Sequence, residues 1–417
     1  MAVVLIGTLD TKGAEIAFVR DRLREAGLET LVIDAGCLGQ PAFVADIIRE
    51  AVFTSAGTAL DSVRKANDRG QAVSLAAVGV ERIVSRLHKE GKVSGVLGLG
   101  GSAGTVIGTA AMRALPYGIP KLMVSTLASG QVQPYVGVRD ICMMHSVTDL
   151  CGLNRFTRQV LSNAAAAMGG MVSACHVPAS DDRPMLAATM FGVTTACVDA
   201  ARKQLEASDF EVLVFHATGT GGRTMEAMIA DGLIAGVLDI TTTELADELV
   251  GGTLTAGRDR LTAAALRGIP QVISVGALDM VNFGPVDTVP KKFEGRRFYQ
   301  HNATVTLMRT TPEENDKLGK EIAEKASAAR GPTALLLPLL GVSAIDKEGG
   351  PFWWPEADAA LFQSIRNWVG PSVQVIELDV HINDAEFAGV AAETLLRMVT
   401  PASKSNPSVM PNSLAPP

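Results

Sequence analysis

Ser94-Gly95-Val96-Leu97-Gly98-Leu99-Gly100-Gly101-Ser102-Ala103-Gly104-Thr105 starts as an apolar strand pattern, passes through a glycine cluster and opens a helical pattern that continues to Leu115. A short apolar run closed by glycines in this way reads as a buried strand turning tightly into a helix. The spacing satisfies Gly-x-Gly-x-x-Ala in that context, so backbone N–H groups can cradle an anion with no side chain in the way. Close packing of helix on sheet is the competing reading, since glycine permits that too. The following strand ends Val124-Ser125-Thr126, without the acid that a dinucleotide fold places there, which argues against a nicotinamide cofactor.

Working outward, the same strand-then-helix rhythm fills the first half. Val3–Gly7 is a strand, Ala14–Glu25 a helix, Thr30–Asp34 a strand, and Thr58 to Lys89 one long helical stretch. Lys121–Ser125 is a further strand, Asp140–Ser146 a candidate strand, and Arg155–Met171 an Ala-rich helix. Alternation of this kind implies right-handed crossovers and a mainly parallel sheet. A polar break at Pro178 to Pro184 is the candidate hinge, after which the rhythm restarts. Strands are expected at Met185–Met190, Val212–Phe215, Val237–Ile240, Gln271–Val275, Ala334–Leu337 and Val373–Leu378, with Glu356–Trp368 and Ala385–Met398 as late helices. The resulting expectation is an α/β chain of two parallel-sheet subdomains, 1–180 and 181–400, with an interlobe cleft and a disordered tail over 401–417.

Composition narrows the function classes. Of 417 residues, 47% are hydrophobic but only 5% aromatic, which suits Ala-rich helices on Val- and Ile-rich strands. A net charge of −7 with no basic stripe disfavours nucleic acid. Five cysteines without a C-x-x-C spacing fit neither zinc nor a disulfide framework, and point to a reducing cytoplasm. No apolar run is long enough for a membrane span, and Met1 to Gly7 reads as a buried strand rather than a leader.

Three further loops carry chemistry. Gly7-Thr8-Leu9-Asp10-Thr11-Lys12-Gly13 joins the first strand and helix, and its hydroxyls, lysine and helix N-terminus suit phosphate oxygens, although the Walker A spacing is absent. His216-Ala217-Thr218-Gly219-Thr220-Gly221-Gly222-Arg223-Thr224-Met225-Glu226 gathers glycines, an imidazole, a guanidinium and a carboxylate after a strand. Asp279 and Asn282 follow the strand at Gln271–Val275, and the irregular stretch Pro285 to Asn302, with His301, is expected to be a binding loop or lid. Asp34 closes the second strand, where an acid commonly meets a ribose hydroxyl. Asp140, Asp239 and Glu244 are weaker strand-end candidates, and Cys37 lies near the same face as Asp34.

Taken together, the motifs at Gly7–Gly13, Asp34-Ala35-Gly36, Gly98–Ser102, His216–Glu226 and Asp279–Phe283 resemble, in this order, the uncharacterised-protein family that includes the ATP-binding N-terminal domain of the tobamovirus resistance protein of tomato. The resemblance implies two Rossmann-like subdomains, ATP with Mg²⁺, a homodimer, and a barrel-like activity supplied by a separate protein partner. The residues assign cofactor binding to Gly7, Thr8, Asp10, Thr11, Lys12, Asp34, Gly100, Gly101, Ser102 and Thr126. Substrate binding falls to Thr218, Gly221, Gly222, Arg223, Asn282 and His301, and acid–base catalysis to His216, Glu226 and Asp279. The expected function is an ATP-binding protein acting on a small carboxylate or sugar acid. The alternatives are a nucleotide-sensing module without turnover, and a metal-assisted hydrolase or lyase of an oxo acid.

Overall fold

The computed structural model describes residues 1–174 and 183–400, so the expected tail and most of the hinge lie outside the described residues. The chain divides into two compact units, Met1–Ser180 and Asp181–Pro417.

In the first unit the chain order is β1 (Ala2–Gly7), α1 (Gly13–Glu25), β2 (Thr30–Asp34), α2 (Arg49–Ser55), α3 (Leu60–Ala66), α4 (Arg69–Lys89), β3 (Val93–Gly100), α5 (Ser102–Arg113), β4 (Lys121–Ser125), α6 (Gln133–Val136), β5 (Cys142–His145) and α7 (Arg155–Ser173). The strands pair in parallel in the order β2-β1-β3-β4-β5. Both faces are covered, which explains the continuous apolar run of β1. Val4 and Ile6 pack with Phe53 of α2, Val80 and Ile83 of α4 and Ile107 of α5. Val3 and Leu5 face the other way, onto Ile16 and Val19 of α1 and Leu161 of α7. The sheet is doubly wound, and its order reverses direction between β1 and β3. At their carboxyl ends that reversal opens a crevice, the usual ligand position in such sheets.

One expected helix is two. The stretch from Thr58 to Lys89 breaks because Asn67 adopts a left-handed conformation, φ 48°, ending α3, and the Asp68 carboxylate accepts from Gln71 N–H at 3.0 Å to start α4.

The second unit runs β6 (Met185–Met190), α8 (Thr195–Glu206), β7 (Glu211–His216), α9 (Thr220–Ala230), β8 (Gly236–Thr241), α10 (Glu244–Val250), α11 (Ala263–Arg267), β9 (Gln271–Gly276), β10 (Met280–Phe283), β11 (Phe298–Asn302), β12 (Val305–Arg309), α12 (Pro312–Ser327), β13 (Thr333–Pro338), α13 (Pro355–Trp368), β14 (Gln374–Leu378) and α14 (Ala385–Val399). Its main sheet is parallel, ordered β14-β13-β9-β8-β6-β7, which repeats the first unit's plan with one strand added. Leu186 and Ala188 of β6 pack beneath α8 and α14, and Ala187 beneath α9.

The stretch expected to be an irregular lid carries structure instead. β10, β12 and β11 form a small antiparallel sheet, with Asn282 opposite Leu307 and Phe298 opposite Met308. Arg296, in the same stretch, is held bidentate by Glu314 at 2.7 and 3.0 Å.

Candidate functional site

A cavity of about 480 Å³ lies in the first unit at the β1/β3 reversal, a size typical of small-ligand sites. Thr8, Asp10, Thr11 and Lys12 from the β1–α1 loop line one part of it. Gly100, Gly101, Ser102 and Gly104 from the β3–α5 turn line another.

Each loop is held in place by its own sequence. The hydroxyls of Thr8 and Thr11 lie 2.6 Å apart, Lys12 N–H donates to Thr8 O at 2.7 Å, and Lys12 Nζ reaches Leu150 O. Gly13 is obligatory, because a Cβ there would fall 2.4 Å from that of Ala42. Across the crevice, Thr105 Oγ1 donates to Gly101 O at 2.8 Å and meets Ser125 Oγ at 2.6 Å. The glycines of this turn serve different ends. A Cβ on Gly100 would sit 2.9 Å from Gly104 Cα, so that pair brings helix onto strand. A Cβ on Gly101 would meet nothing nearer than Thr126 Oγ1 at 3.7 Å, so no protein contact demands glycine there.

The helix ends set the electrostatics. The N-cap residues of α1 and α5 are Lys12 and Gly101, neither of which has a side-chain acceptor. The first turn of α5, with Ser102, Ala103 and Gly104 in the cavity lining, turns uncapped N–H groups and a positive dipole end toward the cavity, and α1 meets the same cavity at its N-cap residue Lys12. α4 also begins at the cavity, but Asp68 caps it. The remaining wall is apolar, from Val63, Ala72, Val73, Ala76 and Ile107, with Arg64 and Arg69 alongside. Cys37 also lines the cavity; burial, then Asp10, pushes its thiol above the usual range, which disfavours a thiolate nucleophile.

Asp34 is differently employed from its expected role. Its Oδ1 accepts from Leu9 N–H at 3.0 Å and Gly36 N–H at 2.9 Å, and its Oδ2 from Arg49 Nε at 2.7 Å, so it ties the loops together from below. Gly7 carries Ile16, whose Cδ1 would lie 2.7 Å from an added Cβ, and Thr126 N–H bonds back to Gly100 O at 3.4 Å. Asp140 pairs with the buried Lys121 at 2.7 Å.

In the second unit, the residues singled out in sequence are spread over several environments. The glycine loop before α9 already holds a carboxylate. Glu244 Oε1 accepts from Gly219 N–H at 2.7 Å and Gly222 N–H at 3.0 Å, and a Cβ on Gly222 would fall 2.1 Å from Oε2. Gly221 is tight as well, a Cβ there falling 1.9 Å from His216 O. Arg260, fully buried and not singled out in sequence, donates to Glu244 at 2.7 Å and to both oxygens of Asp239 at 2.6 Å. Glu226 caps α11, accepting from Leu261 and Ala263 N–H at 2.7 Å each, and burial raises its pKa. Asp279 is buried against Ser343 Oγ at 2.8 Å, its pKa raised well above the usual range by burial and then by Asp346. Asn282 donates to Asp247 at 2.7 Å. His216 is exposed with its ring 5.4 Å from Phe191, Thr218 Oγ1 bonds back to His216 O at 3.3 Å, Arg223 Nε is buried without a hydrogen-bond partner among the described residues, and His301 is exposed on β11.

Arg64, Asn67, Asp68 and Arg69 also line the cavity, outside the motifs that carry chemistry in the sequence. The Asn67-Asp68 pair, a helix-stop residue followed by an N-cap residue, was the available signal. Among the described residues, no group of three or more His, Cys, Asp or Glu is placed to hold a metal, and no helix is long and apolar enough to cross a membrane.

Comparison with known proteins places the chain. The N-terminal domain model of the uncharacterised protein family UPF0261 matches residues 1–177, and its C-terminal domain model matches 183–399. The chain belongs to the UPF0261 family. A UPF0261 protein of Clostridium tetani is 51% identical over 95% of this chain and 98% of its own length. The ToMV resistance protein Tm-1 of Solanum lycopersicum is 44% identical over 81% of this chain, a match spanning 46% of the tomato protein. Among solved structures, UDP-N-acetylglucosamine 2-epimerase from Rickettsia bellii covers 95% of both chains at 11% identity and a TM-score of 0.23, a likeness too slight to transfer a ligand.

Proposed function

We propose that this UPF0261 chain binds ATP in the cavity of its first unit. The observation that carries the reading is the convergence of two long helices, α1 and α5, whose N-cap residues offer no acceptor, on one nucleotide-sized space. Phosphates lie against those helix ends and the Thr8, Thr11 and Ser102 hydroxyls, with Lys12 as counter-charge. The base lies on the apolar wall of Val63, Ala72, Val73, Ala76 and Ile107. Mg²⁺ enters with the phosphates, because the cavity supplies a carboxylate at Asp149 but, among the described residues, no cluster for an all-protein metal site. Neutralising phosphate charge is the chemistry the ion supplies.

The substrate acted on is proposed to be a small carboxylate or sugar acid. The alternative, a nucleotide sensor without turnover, is favoured by one observation: of the expected acid–base groups, Glu226 is committed to the Leu261 and Ala263 N–H groups and Asp279 is wholly buried. Thermal melting tests the binding reading. Mg-ATP at about 100 times its Kd is expected to raise Tm by about 5 °C or more, whereas NAD leaves it unchanged. No shift with any nucleotide overturns the reading. Loss of ATP on incubation with candidate acids then separates enzyme from sensor.

A further inference from the structure

Asp10 is the one cavity-lining carboxylate whose surroundings are almost entirely protein. Its side chain is 4% exposed, and Arg49 Nη1 lies 3.7 Å from its Oδ2. That same Oδ2 accepts from Leu38 N–H at 3.0 Å and Gly39 N–H at 3.1 Å. Oδ1 accepts no hydrogen bond among the described residues. It lies beside Gly36, where a Cβ would come within 2.6 Å of it, so any side chain at position 36 would crowd this oxygen. With Oδ2 held by two backbone donors, Oδ1 is the oxygen of this cavity-lining carboxylate left for a donor that enters the cavity.

We infer that Asp10 Oδ1 accepts a hydrogen bond from a sugar hydroxyl of the bound nucleotide, making Asp10 the residue that recognises the sugar of the ligand. The inference rests on the nucleotide reading above and adds to it the orientation and sugar preference of the ligand. Three classes of ligand group could meet this atom. A phosphate oxygen is repelled by it. A divalent cation would sit beside the Arg49 guanidinium, and no group of three ligating side chains is available among the described residues. A hydroxyl donates to a carboxylate without either conflict. Asp10 lies between Thr8 and Thr11, the residues placed against the phosphates, and the donor nearest the phosphates in a nucleotide is its sugar. Asp34, at the end of β2 where a ribose-binding acid is usually found, has both oxygens occupied by Leu9, Gly36 and Arg49, so the task passes to the β1 loop.

The test compares ATP with its 2′-deoxy and 3′-deoxy analogues by calorimetry, on the wild-type chain and on Asp10→Asn. The two backbone donors at Leu38 and Gly39 hold the oxygen of an asparagine on their side, so its NH₂ group turns toward the ligand and an acceptor becomes a donor. The wild type is expected to bind ATP about tenfold or more tightly than at least one deoxy analogue. Asp10→Asn is expected to bind ATP as weakly as that analogue, with discrimination reduced to within about twofold. Equal wild-type affinity for all three overturns the inference and leaves the nucleotide reading standing. Discrimination that survives in Asp10→Asn, or a variant that loses Mg²⁺ dependence while still discriminating, also overturns it. Failure of all three nucleotides to bind the wild type removes the nucleotide reading itself. The wild-type comparison needs no variant, so it decides even if Asp10→Asn folds poorly.

Discussion

The two units share a strand order and each carries a glycine-rich strand-to-helix loop, yet of these two loops only the second holds a carboxylate of the chain itself. In the first, Gly101 opens α5 onto a cavity with no side chain at the helix end. In the second, Glu244 reaches into the N-terminus of α9 and is clamped there by Arg260. A helix N-terminus attracts negative charge wherever it comes from. When the chain supplies that charge, the loop is part of the core; when it does not, the loop is available to a ligand.

This contrast can be broken experimentally, and the largest effect is expected at Glu244. Glu244→Gln keeps an acceptor for Gly219 and Gly222 but turns an NH₂ group on Arg260, which is wholly buried. Breaking a buried pair of this kind should cost about 3–5 kcal/mol. All three tryptophans, Trp353, Trp354 and Trp368, belong to the second unit, so urea unfolding followed by their fluorescence reads the loss directly. Nucleotide affinity should be unchanged, and a fall in affinity would contradict the division of labour.

A pH dependence of a few kcal/mol is the next expectation, again in the second unit. Burial pushes the carboxyl of Asp358 up to about 7, against the pull of Arg309, and burial does the same to Asp247 despite the Asn282 donor. A carboxyl raised in the folded state contributes stability that is complete below its unfolded pKa of about 4 and is lost as pH rises through the folded value. The tryptophan-reported unfolding midpoint should therefore fall from pH 5 to pH 8, and Asp358→Asn should flatten that slope. A midpoint that rises over this interval would show the assignment to be wrong.

The smallest stability effects sharpen the comparison of the loops themselves. Gly222→Ala places a Cβ 2.1 Å from the Glu244 carboxylate and should cost about 1–3 kcal/mol. Gly101→Ala has no such clash and should cost less than about 1 kcal/mol, the preference for glycine over alanine at an N-cap. Its effect belongs to binding, where an added methyl on the anion cradle should weaken ATP about tenfold in the same titration. Equal stability losses at the two positions would erase the distinction between the loops.

Much of this fold was legible in the sequence, because strands buried on both faces are continuous apolar runs and Ala-rich helices recur between them. Val3–Gly7 and Gln271–Val275 are recognisable for that reason. The helix break at Asn67 and the β10-β12-β11 sheet lie outside that periodicity. The first turns on one backbone angle, and the second on pairings between distant short segments such as Asn282 with Leu307. At the site, the Thr8–Lys12 and Gly100–Ser102 loops were identifiable as strand-end loops before helices. Arg64 and Asp68 were not, since they reach the cavity only because α3 and α4 fold over it.

Sequence alone determined the two α/β units, their parallel sheets and the presence of glycine loops at strand ends, all of which follow from local periodicity and backbone freedom. Only the tertiary structure decided what each loop holds. Whether a helix end meets solvent or a carboxylate depends on residues far away in the chain: Glu244 lies 22 positions from Gly222, and Arg49 lies 15 from Asp34. Charge satisfaction is a property of three-dimensional neighbours, and no local pattern records it.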